Sequence, residues 1–308
     1  MGQNLTVYSR TDLEHAGASD HAIRQAVSAE RLHRIRPGAY VDAADWTAAP
    51  IEQRQRAAAA TALRASRGPL VLAGITAAAV HGLPLFRLRD ERVHVLCHAD
   101  RVAAKNPFVM RHEVPFTDDD LTLVDGMPVT SLDRTVCDVI RSIPLEAGVA
   151  LADAALAMAP DGADELRARL VRRIACLPGA RGIRRAREVA AFADPRSGSP
   201  LESASRWFLH VLGFRNVRIQ EPFPGPNGAD YLLDFRFRRG IGEVDGATKY
   251  RDPAFLAGRT PQQALIDEKR REDWIRGRTQ EPFARWMDRD MPNARALGAH
   301  LASFGIRP

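Results

Sequence analysis

The chain has 308 residues, of which 45% are hydrophobic and 6% aromatic, and its net charge is +6. This length predicts two or three domains with mainly aliphatic cores, and the charge is compatible with a polyanionic partner. No run of about 18 uncharged apolar residues occurs, so we expect no membrane-spanning helix and no membrane partner. The cysteines Cys97, Cys137 and Cys176 stand far apart without a CxxC pair. We therefore expect reduced, buried thiols in a cytoplasmic protein, not a disulfide framework or a zinc site.

The N-terminal segment predicts two short helices followed by a hairpin. A capping box at Thr11 opens a first helix that stops at Gly17, and Ser19 caps a second helix over residues 20–30. The sequence 32–41 then alternates around Pro37-Gly38, as expected of a basic wing. Together these elements predict a winged helix over residues 1–48, with its second helix facing the major groove of double-stranded DNA.

Polar side chains on the second helix and on the wing are the candidate DNA contacts. They lie on the outward face of the helix, opposite its apolar stripe, or on one face of the wing. The candidates are His21, Arg24, Gln25, Arg34 and Arg36. The alternative interpretation is a winged helix used for protein contacts, whose arginines are only solvated.

Residues 49–194 predict a mixed α+β domain. Apolar periodicity and capping residues predict helices over 50–66, 76–81, 132–142 and 145–158. Alternation predicts strands over 92–98 and 108–115, and a hairpin over 121–130 that turns at Asp125-Gly126. The histidines of this region fit no compact set of metal ligands, so we interpret them as structural. They are His81, His94, His98 and His112.

Arginines dominate residues 165–187. Arg169, Arg172 and Arg173 are predicted on one face of a helix, where they form a ridge suited to a DNA backbone. An arginine-rich helix surface that is only solvated is the alternative.

The C-terminal domain is predicted over residues 199–308. Ser199 caps a helix that begins at Pro200, and three strands, a second helix over 261–276 and a strand over 283–287 follow. This αβββαβ order predicts a mixed sheet flanked by helices. On the second helix, Lys269 and Arg270 are candidates for phosphate contacts.

A hairpin within residues 230–250 collects acidic side chains. Asp234 is the acid inside its first strand, while Glu243 and Asp245 lie two apart on the second and so point to one face. Converging carboxylates repel one another unless a cation neutralises them, and oxygen ligands suit Mg²⁺. We therefore predict that Asp234, Glu243 and Asp245 hold Mg²⁺ or Mn²⁺. A surface hairpin with solvated acids is the alternative.

A lysine follows the acids closely. The lysines of the chain are Lys105, Lys249 and Lys269, and all others among its 44 basic residues are arginines. A compact ammonium group whose pKa shifts on burial is able to position or activate a water where a guanidinium is not. We therefore predict a catalytic role for Lys249.

Four motifs stand in order between residues 199 and 291: LESASRWFL, LLDFRF, GEVDGATKY and DEKRREDWIR. Together they resemble the Vsr-like branch of the PD-(D/E)XK nucleases. The resemblance implies a restriction-endonuclease-like fold, metal-dependent hydrolysis of DNA, and a catalytic Glu202 beside Asp234 and Glu243. The superfamily's lysine two residues after the second acid is replaced here by Asp245, and lysine follows only at Lys249.

Five further motifs stand in order between residues 5 and 158: ERLHRIRPGAYV, ITAAAVHGLP, RHEVPF, DGMPVTSLDRTVCDVI and LADAALAM. They resemble AbiEi-type antitoxins of type IV toxin–antitoxin systems, with Gly74-Ile75 where those relatives carry a Ser-His pair. The resemblance implies a repressor of its own operon with a toxin as partner. Two functions thus compete: a Mg²⁺-dependent DNA endonuclease guided by a winged helix, and an antitoxin-like autorepressor with a non-catalytic nuclease-fold domain.

Overall fold

The structure is a computed structural model that describes residues 5–97, 106–228, 230–246 and 260–308. The helices are α1 (Arg10–His15), α2 (Asp20–Ser28), α3 (Ala43–Ala48), α4 (Ile51–Ala65), α5 (Gly74–Val80), α6 (Leu132–Ile140), α7 (Leu145–Met158), α8 (Ala163–Ala175), α9 (Ile183–Phe192), α10 (Pro200–Val211), α11 (Pro261–Thr279) and α12 (Ala294–Ser303). The strands are β1 (Tyr8–Ser9), β2 (Leu32–Arg36), β3 (Ala39–Asp42), β4 (Val71–Leu72), β5 (Val93–Cys97), β6 (Val109–Glu113), β7 (Leu121–Val124), β8 (Met127–Thr130), β9 (Arg218–Pro224), β10 (Asp230–Arg236), β11 (Ile241–Val244) and β12 (Phe283–Trp286). The architecture is mixed α+β, as the sequence predicts. None of the helices in the described ranges is long and apolar enough to cross a bilayer.

The chain divides into two compact units. The first comprises residues 1–143 and 159–191, and the second comprises residues 144–158 and 192–308. This division differs from the predicted one, because the first two predicted domains lie largely in one unit and α7 belongs to the other. In the second unit α7 packs against α10. The reason is its composition: α7 is apolar around most of its circumference and must be buried on several sides.

The first unit begins with a small sheet and two helices. Its strands are ordered β1-β3-β2, with antiparallel pairing throughout. The hydroxyl of Ser9 accepts the N–H of Asp12, and the carboxylate of Asp12 accepts the N–H of Ser9, so Ser9 caps α1 in place of the predicted Thr11. Ser19 caps α2 as predicted. The hairpin of β2 and β3 turns at the predicted Pro37-Gly38.

The rest of the first unit is built on a sheet with the order β6-β5-β4-β8-β7. The hairpin of β7 and β8 turns at Asp125-Gly126, where both residues have positive φ, as predicted. Leu72, Val95 and Val129, from three neighbouring strands, are buried in a core against α4. Of the cysteines, Cys137 is buried as expected, whereas Cys97 is only half-buried at the end of β5. Cys176 is exposed because it follows the last turn of α8.

The second unit contains a sheet with the order β12-β11-β10-β9. Strands β9, β10 and β11 are antiparallel, and β12 pairs in parallel with β11. A parallel neighbour requires a crossover, and α11 lies between these two strands in the chain. The predicted αβββαβ order is therefore confirmed. Ser199 caps α10, with Pro200 at its first position, as predicted.

Candidate functional site

Asp234 lies where the strands β10 and β11 begin to separate. The ladder pairs Arg236 with Ile241 and Phe235 with Gly242. Just beyond the pair of Phe235 and Gly242, the N–H of Val244 donates to the carboxylate of Asp234 over 2.8 Å. An acidic side chain thus reaches between the two strands, and its carboxylate is half-buried at that point.

Glu202 reaches the same place from the first turn of α10. Its Oε2 accepts hydrogen bonds from the N–H of Gly198 (2.9 Å) and from Nε2 of Gln220 (2.8 Å). Burial raises the pKa of the Glu202 carboxyl, and the negative charge of Asp234 raises it further. In the described part of the chain no arginine or lysine forms a salt bridge with Glu202. The charge of Asp234 therefore acts on Glu202 and disfavours the ionised form of its carboxyl.

The carboxylate of Glu243 is turned toward α11. Arg271 approaches both of its oxygens, with Nη1 to Oε2 at 2.9 Å and Nη2 to Oε1 at 2.8 Å. The same guanidinium lies 5.7 Å from the ring centroid of Tyr231 and donates to the carbonyl of Leu232. Glu243 is buried, so this pairing supplies much of the positive charge that a buried carboxylate needs.

Asp245 is held by β12. Arg285 donates to both of its oxygens, from Nε over 2.8 Å and from Nη2 over 2.5 Å. The same guanidinium also pairs with Glu268 and, over 3.0 Å, with Glu272. Arg285 thus forms ion pairs with three carboxylates, and these pairings raise the pKa of its guanidinium group.

The predicted convergence of Asp234, Glu243 and Asp245 is therefore not what the structure shows. It brings Asp234 to Glu202, while arginines engage Glu243 and Asp245. Among the residues that the structure describes, no group of three or more His, Cys, Asp or Glu side chains is arranged to hold a metal ion. Lys249 lies outside the described residues.

Sequence reasoning did not identify the two arginines that organise this site. The sequence carries a signal for Arg271, because Glu268, Arg271 and Glu272 in the motif DEKRREDWIR are spaced to share a helix face. A signal for Arg285 is its charge within the otherwise apolar strand FARW.

The other two basic residues proposed for this site point elsewhere. Lys269 and Arg270 are exposed on α11, whereas Glu268 and Arg271 of the same helix face the sheet. At 100° per residue, Arg270 lies on nearly the opposite side of α11 from Glu268. It therefore does not face the carboxylates, contrary to the expectation of a phosphate contact beside them.

Most of the residues predicted to contact DNA are exposed on the first unit. His21, Arg24 and Gln25 are exposed on α2, and Ile23 between them is buried. Arg34 on β2 is exposed as well. Arg36, the second arginine of the wing, is the exception. A register shift in the pairing of β2 with β3 lies between Arg34 and Arg36.

Arg36 turns toward α4. Its Nη1 donates to the carbonyl of Thr61 over 3.3 Å, and the residue is half-buried. Arg36 therefore does not share the exposed face of Arg34.

The arginines predicted to form a ridge on α8 are paired with acids of the same unit. Arg169 pairs with Asp161, and Arg172 lies 3.2 Å from Glu165. Arg173 bridges two carboxylates, those of Asp120 (2.7 Å) and Asp133 (2.8 Å), and so points into the unit. The structure thus replaces the expected free ridge with ion pairs, because acids of α8 and of neighbouring segments reach these guanidinium groups.

Comparisons with known proteins add little to this geometry. No family model and no curated protein matches the sequence. Among solved structures, the chain is similar to the RV2827C protein from Mycobacterium tuberculosis, with 16% sequence identity and a TM-score of 0.35 over 72% of this chain and 84% of that one. A similarity this low does not establish a shared fold.

Proposed function

We propose that the protein binds double-stranded DNA and hydrolyses its phosphodiester bonds with a Mg²⁺ or Mn²⁺ ion held by Glu202 and Asp234 in a restriction-endonuclease-like domain. The observation that carries this proposal is the pair itself. Two half-buried carboxylates lie close enough for one to raise the pKa of the other, and only neutral donors hold Glu202. A divalent cation relieves this repulsion.

The donor set fits such an ion in part. Glu202 and Asp234 supply the hard oxygen ligands that Mg²⁺ prefers. Glu243 joins them only if Arg271 gives up its carboxylate, and Asp245 remains bound to Arg285. When bound, the ion supplies a water of lowered pKa and polarises the phosphate. The chain's own contribution is to fix the two carboxylates, through the backbone N–H groups of Gly198 and Val244.

Asp234→Asn is the test of this site. The amide oxygen of asparagine still accepts the N–H of Val244, so we expect the fold to persist while the charge is lost. In the wild type, Mg²⁺ should raise the melting temperature of the second unit by linkage, and plasmid DNA should be nicked. Asp234→Asn should abolish nicking and most of the shift.

Asp230→Asn is the matched control, because Asp230 is an exposed acid on the same strand. It makes the same change in net charge and should behave like the wild type. A wild-type protein with neither a melting shift nor nicking, in Mg²⁺ and in Mn²⁺, would contradict the enzymatic proposal.

The second candidate is an antitoxin-like autorepressor with a cognate toxin as partner and a non-catalytic nuclease-fold domain. The pairing of Glu243 and Asp245 with arginines favours it, since these acids are neutralised without a metal ion. This function predicts a footprint on the protein's own promoter, whereas equal binding of random duplexes favours the nuclease.

Both candidates use the surface of α2 and the wing. Arg24→Ala and Arg34→Ala should each weaken duplex binding, and the slope of log K against log salt should fall by about one if Arg34 contacts a phosphate. Arg67→Ala is the control, an exposed arginine elsewhere in the same unit. Fluorescence anisotropy with a labelled duplex measures all three. Wild-type affinity at low salt in both test variants would rule out this surface.

A further inference from the structure

The first unit contains a large cavity that neither candidate function uses. Its volume is about 1060 Å³, and its walls come from β5, β6, the end of α6 and the start of α9. This volume is at the upper end of the range for small-molecule sites. The cavity also has an apolar part, lined by Ile75, Leu96 and Met110.

The polar wall of the cavity is strongly basic. Five arginines line it, namely Arg92, Arg141, Arg181, Arg184 and Arg185. Two of these arginines are paired with carboxylates. Arg92 binds Asp90, and Arg141 lies 3.4 Å from Asp138, which also lines the cavity and pairs with Arg134 over 2.6 Å. Arg181 and Arg184 are exposed and form no ion pair within the described residues. The cavity therefore presents positive charge that the protein itself does not neutralise.

A hydrogen-bonded chain of one acid and two histidines completes this wall. Hydrogen bonds from Arg92 lower the pKa of Asp90, so its carboxylate is ionised and accepts from Nε2 of His94 over 3.3 Å. Nδ1 of His94 must then accept from Nε2 of His112, which lies 3.0 Å away. Burial lowers the pKa of His112 and lowers that of His94 to about 4, so both rings are neutral at pH 7. This tautomer leaves Nδ1 of His112 as an acceptor.

One close backbone approach and one side-chain hydrogen bond hold these walls in place. A Cβ at Gly182 would lie 2.0 Å from the carbonyl oxygen of Arg141, and Gly182 has φ of +77°. Only glycine lets the start of α9 pack this closely on the end of α6. Nε of Arg141 also donates to the carbonyl of Arg181 over 3.1 Å. The segment that carries Arg181 and Arg184 is thus fixed against the rest of the cavity.

We propose that this cavity binds a phosphorylated small molecule of the size of a nucleoside di- or triphosphate. Arg181 and Arg184 bind its phosphate groups, since guanidinium groups match phosphate oxygens in charge and geometry. Nδ1 of His112 accepts a hydrogen bond from a hydroxyl or amino group, which an inorganic anion such as sulfate lacks. The apolar wall suits the base. This site is independent of the acids in the second unit and of the DNA-contact surface.

The test is calorimetric titration of the full-length protein with ATP, GTP, pyrophosphate and inorganic phosphate at constant ionic strength. We expect the nucleotides to bind more tightly than pyrophosphate, and inorganic phosphate to bind most weakly. Arg184→Ala should weaken nucleotide binding about tenfold to a hundredfold, the effect of losing one charged hydrogen-bonding group.

Arg187→Ala is the matched control, because Arg187 is exposed on the same helix but does not line the cavity. It should bind nucleotides as the wild type does, and Arg184→Ala should keep wild-type affinity for duplex DNA. Three results would each overturn the proposal: no binding of any of the four ligands at millimolar concentration, equal losses in Arg184→Ala and Arg187→Ala, or a short oligonucleotide that binds the cavity more tightly than any mononucleotide.

Discussion

Asp153→Ala should lower the free energy of unfolding of the second unit by about 3–5 kcal/mol, the cost of leaving a buried charge without its partner. The side chain of Asp153 on α7 is only 1% exposed. Its two oxygens accept from Nη2 of Arg206 on α10, over 2.9 and 2.8 Å, and Oδ1 also accepts the N–H of Asp194 over 2.7 Å. Arg206, whose guanidinium lies 4.2 Å from the ring centroid of Phe192, forms no other salt bridge among the described residues. Alanine leaves this half-buried guanidinium without a salt bridge, holding only its hydrogen bond to the carbonyl of Phe192 over 2.8 Å.

Urea unfolding followed by circular dichroism measures this loss. Glu221→Gln is the control, because it removes an acid of the same unit from an ion pair with Arg218, whose side chain is 65% exposed. Such pairs contribute about 0–1 kcal/mol. A loss in Asp153→Ala no larger than in the control would show that the pair between α7 and α10 does not hold this unit together.

The position of α7 shows where sequence reasoning reaches its limit. Its bounds are predicted correctly, because Leu145–Met158 is apolar apart from Glu146 and Asp153 and follows Pro144. Its partner is not predicted, because a helix that is buried on most sides carries no directional pattern. The one polar signal is Asp153, an acid inside the apolar run LADAALAM that requires a buried cation from elsewhere in the chain.

The ion pairs of the candidate site show the same limit of prediction from the sequence. The hairpin that carries Asp234 and Glu243 follows from alternation and from its turn, both of which are local properties. The partners of the acids are not local, since Arg271 and Arg285 lie 28 and 40 residues from the carboxylates that they bind. A sequence shows that converging acids need a cation, but whether that cation is a metal ion or a guanidinium depends on the tertiary structure.

Arg285→Gln removes the guanidinium that Asp245, Glu268 and Glu272 share. These carboxylates, whose side chains are 11–22% exposed, would repel one another, although Glu272 keeps its pair with Arg276 over 2.7 Å. We expect the second unit to lose about 2–4 kcal/mol at pH 7. The stability of Arg285→Lys should lie between those of Arg285→Gln and the wild type. A lysine keeps the positive charge, but it cannot span three carboxylates with a planar guanidinium. The control is Arg289→Gln, since Arg289 is 81% exposed and lies 3.9 Å from Asp290.

Adding Mg²⁺ to the Arg285→Gln variant tests whether a metal ion neutralises these acids in place of the guanidinium group. Without the arginine, three carboxylates converge, and a hard divalent cation should bind them and restore part of the lost stability. Combining Arg285→Gln with Asp234→Asn keeps this rescue distinct from any ion at Glu202 and Asp234. A double variant that Mg²⁺ stabilises more than it stabilises Asp234→Asn alone would show that Arg285 occupies the place of a metal ion. Equal shifts in the two proteins would show that the three carboxylates move apart once the guanidinium is gone.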